Sequence, residues 1–65
     1  MTDAQRANLE DILAFSGGRR LLTLADVREY TGVRDNRTLK SRFSFTKGYI
    51  SAPTLALEIT RRPVT

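Results

Sequence analysis

Polar side chains suited to binding a charged partner are concentrated in residues 34–47, which read RDNRTLKSRFSFTK. This segment holds five basic residues against one acid, whereas residues 1–33 hold four against five and residues 48–65 two against one. Basic side chains bind phosphate groups, and arginine and asparagine form paired hydrogen bonds with guanine and adenine. A localised net charge of +4 therefore indicates a nucleic-acid partner, although the same charges also suit an ordinary solvated helix face.

The composition also excludes most enzymatic mechanisms. The chain has no histidine and no cysteine, so imidazole bases, thiolate nucleophiles and the usual zinc ligands are absent. The glycine pair Gly17-Gly18 lacks the following lysine of a phosphate-binding loop. We expect a protein that is not an enzyme and that needs no cofactor and no metal ion.

The length of 65 residues allows a single domain, residues 1–65, with a small core. The apolar runs are much shorter than the roughly 18 residues that a membrane-spanning helix needs. The polar start, Met1-Thr2-Asp3, does not resemble a signal peptide. These features predict a cytoplasmic protein that does not enter a membrane.

Two helices are predicted ahead of the basic segment. The first spans about residues 3–16, with Thr2 or Asp3 as its cap and Gly17-Gly18 as its end. The second spans about residues 24–31, because Thr23 and Asp26 form a variant of the capping box and Gly32 can end the helix.

The basic segment itself predicts a third helix that begins after Asp35 or Asn36 and ends near Phe43. Leu39 and Phe43 are four residues apart and should point inward, which leaves the basic residues on the solvent side. A short β-hairpin or a tight extended turn over about residues 43–50 and a last helix over about residues 52–60 should follow. The fold class is therefore mainly α, a domain of three to four helices with a short β-hairpin before the last one.

Two short helices joined at a glycine, the second with a basic outward face, have the layout of a helix-turn-helix, here over about residues 24–43. The stretch LTLADVREYTGVRDNRTL, residues 22–39, resembles the start of small excisionase-like and MerR-like DNA-binding domains. This resemblance implies a winged helix-turn-helix, with residues 45–50 as the wing. It also implies a protein of bacterial mobile elements or phages, with a recognition helix at about residues 36–43 in the major groove.

The resulting hypothesis is sequence-specific binding of double-stranded DNA by a small transcription regulator or an excisionase-type factor. A homodimer or a cooperative array on DNA, formed through the first helix or through Leu57, would raise the affinity. The alternative is a protein-interaction module on the same fold that does not bind DNA. For Asn36 a capping role competes with base contact, and for Arg42 we favour coverage of the core edge. The candidate DNA-binding residues are Arg34, Asn36, Arg37, Lys40, Ser41, Thr46 and Lys47.

Overall fold

The computed structural model describes residues 1–61. It contains four helices and two three-residue strands, which confirms the mainly helical class. In chain order the elements are α1 (Asp3–Ser16), β1 (Leu21–Thr23), α2 (Leu24–Thr31), α3 (Asn36–Arg42), β2 (Tyr49–Ser51) and α4 (Ala52–Arg61). Helix α1 packs along helix α4, helix α2 packs on helix α3, and the two strands pair with each other.

Each of the six elements contributes to one buried apolar cluster. Leu39 from α3 is fully buried and Phe43, directly after α3, is almost fully buried, as the four-residue spacing predicted. Because no element has a core of its own, the helices and strands must fold together. The cluster consists of Ile12, Leu22, Val27, Leu39, Phe43, Ile50, Ala52, Leu55 and Ala56.

The strand pairing differs from the predicted hairpin over residues 43–50. Strand β2 pairs antiparallel with β1, far earlier in the chain, with Leu22 opposite Ile50. Phe43 is buried beneath α3 instead of lying in a strand, and only a single bridge joins Thr46 to Tyr49. The physical reason is that pairing with β1 places Leu22 and Ile50 side by side in the core, which a local hairpin would not do.

The turn inside that bridge has an unusual backbone conformation. Both central residues have positive φ, 54° at Lys47 and 84° at Gly48. Positive φ at both central positions defines a type I′ turn, which favours asparagine followed by glycine. A lysine there is strained, since its Cβ disfavours the left-handed region.

The start of α2 is fixed by a capping box extended by an arginine. The Thr23 hydroxyl accepts from the Asp26 N–H at 3.2 Å, and the Asp26 carboxylate accepts from the Thr23 N–H at 3.0 Å. Both carboxylate oxygens also accept from the Arg19 guanidinium at 3.2 Å. The Thr23 N–H, helped by Arg19, lowers the pKa of Asp26 although partial burial opposes the shift.

We predict that Asp26→Ala lowers the free energy of unfolding by about 1 kcal/mol at neutral pH, because it removes this capping interaction. The pKa of Asp26 is lower in the folded than in the unfolded state, so its stabilisation is present above the unfolded-state pKa. It is lost as the pH falls through the folded-state pKa, and the difference from the parent should disappear in strong acid. Urea unfolding at several pH values measures this.

The matched control is Glu29→Ala, which removes an exposed acid from the same helix. Its stability should stay close to that of the parent at every pH. Equal losses in the two variants would mean that the capping box contributes nothing specific.

A second prediction concerns the turn. Lys47→Asn should raise the free energy of unfolding by about 0.5–1 kcal/mol, because asparagine tolerates the left-handed backbone. Lys47→Ala removes the same charge but keeps the strain, so it should not stabilise the protein. Thermal unfolding of the two variants separates backbone strain from charge; equal stabilisation of both would refute the strain argument.

Candidate nucleic-acid interface

The buried side chain of Leu39 anchors helix α3 to the core, and an N-cap fixes the start of the helix. The Asp35 carboxylate accepts from the Arg37 N–H at 3.0 Å and from the Thr38 hydroxyl at 2.9 Å. The sequence left the cap open between Asp35 and Asn36, and the structure assigns it to Asp35. Asn36 is exposed, and within residues 1–61 its side chain makes no hydrogen bond. Its amide is therefore available to a partner.

All the candidate residues of the basic segment are exposed, but they do not form a single cluster. The basic ones have no ion pair within the described part of the chain, where the Arg19–Asp26 contact is the one ion pair found. Unpaired cations on a helix with no acid in its first turn leave a surface of uncompensated positive charge. The exposed candidates are Arg34, Asn36, Arg37, Lys40, Ser41, Thr46 and Lys47.

Lys40 lies where three elements meet. One surface groove is lined by Leu24 at the start of α2, Lys40 on α3, and Phe45 and Gly48 around the tight turn. The groove therefore brings the outward side of α3 beside the turn that carries Thr46 and Lys47. Arg34 instead lines another groove, with Arg28 and Gly32 on the outer side of α2. The structure thus joins α3 with the turn and leaves Arg34 at a separate edge.

Arg42 and Arg61 extend the positively charged surface around Lys40. Both are exposed and line a groove of about 440 Å³ between the end of α3 and the end of α4. The sequence interpretation placed Arg42 over the core edge and did not include Arg61. Arg61 could not be located from the sequence, since only the packing of α4 brings its last turn beside α3.

The same groove contains a contact that fixes the loop after α3. The carboxylate of Glu58 on α4 accepts from the Ser44 N–H at 2.8 Å and from the Ser44 hydroxyl at 2.7 Å. This contact holds residues 43–45 against α4, so the end of α3 and the tight turn keep a fixed relation. The groove combines one engaged carboxylate with three basic side chains, and its charge is net positive.

The contact between α1 and α2 has a different chemistry. The rings of Phe15 and Tyr30 are 5.2 Å apart in an edge-to-face arrangement, and the Tyr30 hydroxyl donates to the Asp11 carboxylate. Burial, followed by the contact with Asp11, raises the pKa of Tyr30 to about 12. Phe15 remains 44% exposed, whereas Leu57, the other candidate for a contact between copies, is half-buried. None of these residues lines the grooves beside Lys40.

Neither a metal-binding cluster nor a membrane-spanning helix is found among residues 1–61. Within residues 1–61, no three carboxylates come close enough together to hold a metal ion. None of the helices in that range combines the length and the apolar character that crossing a bilayer requires. Comparison of the chain with protein-family models, curated proteins and solved structures found no match.

The cap of α3 yields a third prediction. Asp35→Ala should lower the free energy of unfolding by about 1 kcal/mol, because the Arg37 N–H loses its acceptor. Asp35→Ser keeps a capping oxygen and should recover most of that loss. Urea unfolding of both variants measures the difference. An Asp35→Ala variant as stable as the parent would show that Asn36 can take over the cap.

Proposed function

We propose that the chain binds double-stranded DNA sequence-specifically, with α3 lying in the major groove. The observation that carries this proposal is the exposed, unpaired set Asn36, Arg37, Lys40 and Ser41 above the buried anchor Leu39. The buried side holds the helix on the domain. The other side has free donors, and the nearby carboxylate of Asp35 is engaged in the cap, so this side is suited to base edges and phosphates. The major groove is wide enough for one helix.

The order of elements supports a winged helix-turn-helix in which the wing is very short. Helices α2 and α3 are separated by a turn at Gly32, whose φ is 77°, and β1 and β2 pair at the two ends of this unit. The Thr46–Tyr49 turn then takes the place of a wing beside Lys40. In this arrangement Lys47 contacts a backbone phosphate flanking the site that α3 reads.

The biological role follows from the resemblance of residues 22–39 to excisionase-like and MerR-like domains. A small transcription regulator or an excisionase-type factor of a mobile element or phage fits a module of this size. One such module buries only about 600–1,000 Å² of protein surface on DNA. High affinity would therefore require a second copy, as a dimer or in an array along the duplex.

The test is binding to a pool of random duplexes at two salt concentrations, followed by sequencing of the bound DNA. The parent should enrich a motif and bind more weakly at high salt, because bound phosphates release counterions. Arg37→Ala/Lys40→Ala should lose at least about tenfold in affinity for that motif, since each good base contact contributes about 1–3 kcal/mol.

The control is Arg6→Ala/Arg20→Ala, which removes the same number of positive charges from exposed positions outside α3. Its affinity should remain within about threefold of the parent, because it loses only the general electrostatic attraction that both double variants lose. Salt-sensitive binding without an enriched motif would reduce the proposal to non-specific binding. A folded parent that binds no duplex even at low salt would overturn it and favour the protein-interaction module.

A further inference from the structure

We infer that α3 reads purine edges, with Asn36 on an adenine and Arg37 and Lys40 on guanines, within about three neighbouring base pairs. This inference rests on the proposed DNA binding and specifies its base chemistry.

Asn36 is available for a base because its neighbour has taken the cap. The Asp35 carboxylate satisfies the first turn of α3, so the Asn36 amide is not needed for folding. That amide has an acceptor oxygen and a donor NH₂ group in one plane. Adenine presents the matching pair in the major groove, the N6 amino donor and the N7 acceptor, whereas guanine presents two acceptors.

Arg37 and Lys40 carry only donors, which suits the O6 and N7 acceptors of guanine. Cytosine would need an acceptor opposite its N4 amino group. The nearby carboxylate, Asp35, already accepts from the Arg37 N–H and the Thr38 hydroxyl. The base-facing side of α3 therefore has one amide, two cations and the Ser41 hydroxyl, which can donate or accept. The amide and the two cations are best matched by purines.

The spacing limits how far apart those bases lie. Asn36 and Lys40 are four residues apart on one side of the helix, a distance of about 6 Å along its axis. Stacked bases are separated by about 3.4 Å, so these two side chains span about two base-pair steps. Arg37 falls between them along the axis. The three contacts thus belong to one short window.

The experiment uses the enriched duplex with single purines replaced by 7-deazaadenine or 7-deazaguanine. These analogues lack the N7 acceptor but keep Watson–Crick pairing, so they remove one major-groove contact at a time. We expect one adenine replacement to weaken parent binding at least about fivefold. Asn36→Ala should bind the normal and the substituted duplex equally, because its contact is already gone.

Replacement of a guanine in the same window should weaken the parent in the same way. Arg37→Ala should be insensitive at one guanine and Lys40→Ala at another, and each should remain sensitive at the adenine. Circular dichroism of the three variants checks that they are folded. If each variant is insensitive only to the analogue at its own base, the side chain contacts that base directly and its removal does not merely lower the general affinity.

Two results would overturn the inference, and they differ from failure of the proposed function. A motif that is bound equally well with every analogue, or sensitivity to an analogue that persists in all three variants, would exclude purine reading by these side chains while DNA binding stands. No salt-sensitive binding to any duplex would instead remove the proposed function itself.

Discussion

The position of α3 depends on the burial of Leu39, because this is the one α3 side chain within the apolar cluster. A chain of 65 residues has a free energy of unfolding of only about 3–10 kcal/mol. Loss of a buried leucine side chain typically costs about 2–5 kcal/mol, a large part of that total. The exposed surface of α3 is therefore not an independent feature added to a stable scaffold. Leu39, which completes the core, therefore also determines how far α3 projects from the domain and which way its basic face points.

Acidic and basic side chains are used for different purposes in this fold. Four of the seven acids, Asp11, Asp26, Asp35 and Glu58, accept hydrogen bonds that fix a helix contact, a cap or a loop. Among the basic residues of the described range, only Arg19 has a side-chain hydrogen bond or an ion pair. Most of the carboxylates are thus held in structural contacts, whereas the described cations other than Arg19 extend unpaired from the surface. This placement, together with the excess of basic residues in the segment 34–47, produces a positive face.

Local features of the sequence were sufficient to predict the helices. Thr23 with Asp26 and the glycines at 17 and 32 act on their immediate neighbours, so they can be recognised without knowing the fold. The strand pairing depends on residues far apart, so the sequence predicted the tight turn within residues 43–50 but not the pairing of β2 with β1. The exposure of Arg37, Lys40 and Ser41 followed from helix periodicity. The choice of Asp35 as the cap did not, since both Asp35 and Asn36 are good capping residues.

The pairing of Thr23 with Tyr49 and of Leu22 with Ile50 has a consequence for how this chain can vary. It closes α2, α3 and the tight turn into a loop whose two ends are held side by side, while α1 and α4 pack on each other outside it. The entropy of closing a loop changes only slowly with its length. The turns of this loop could therefore change in length at little cost in closure entropy. Its buried residues could not be altered as freely, because Val27, Leu39 and Phe43 complete the same core as α1 and α4.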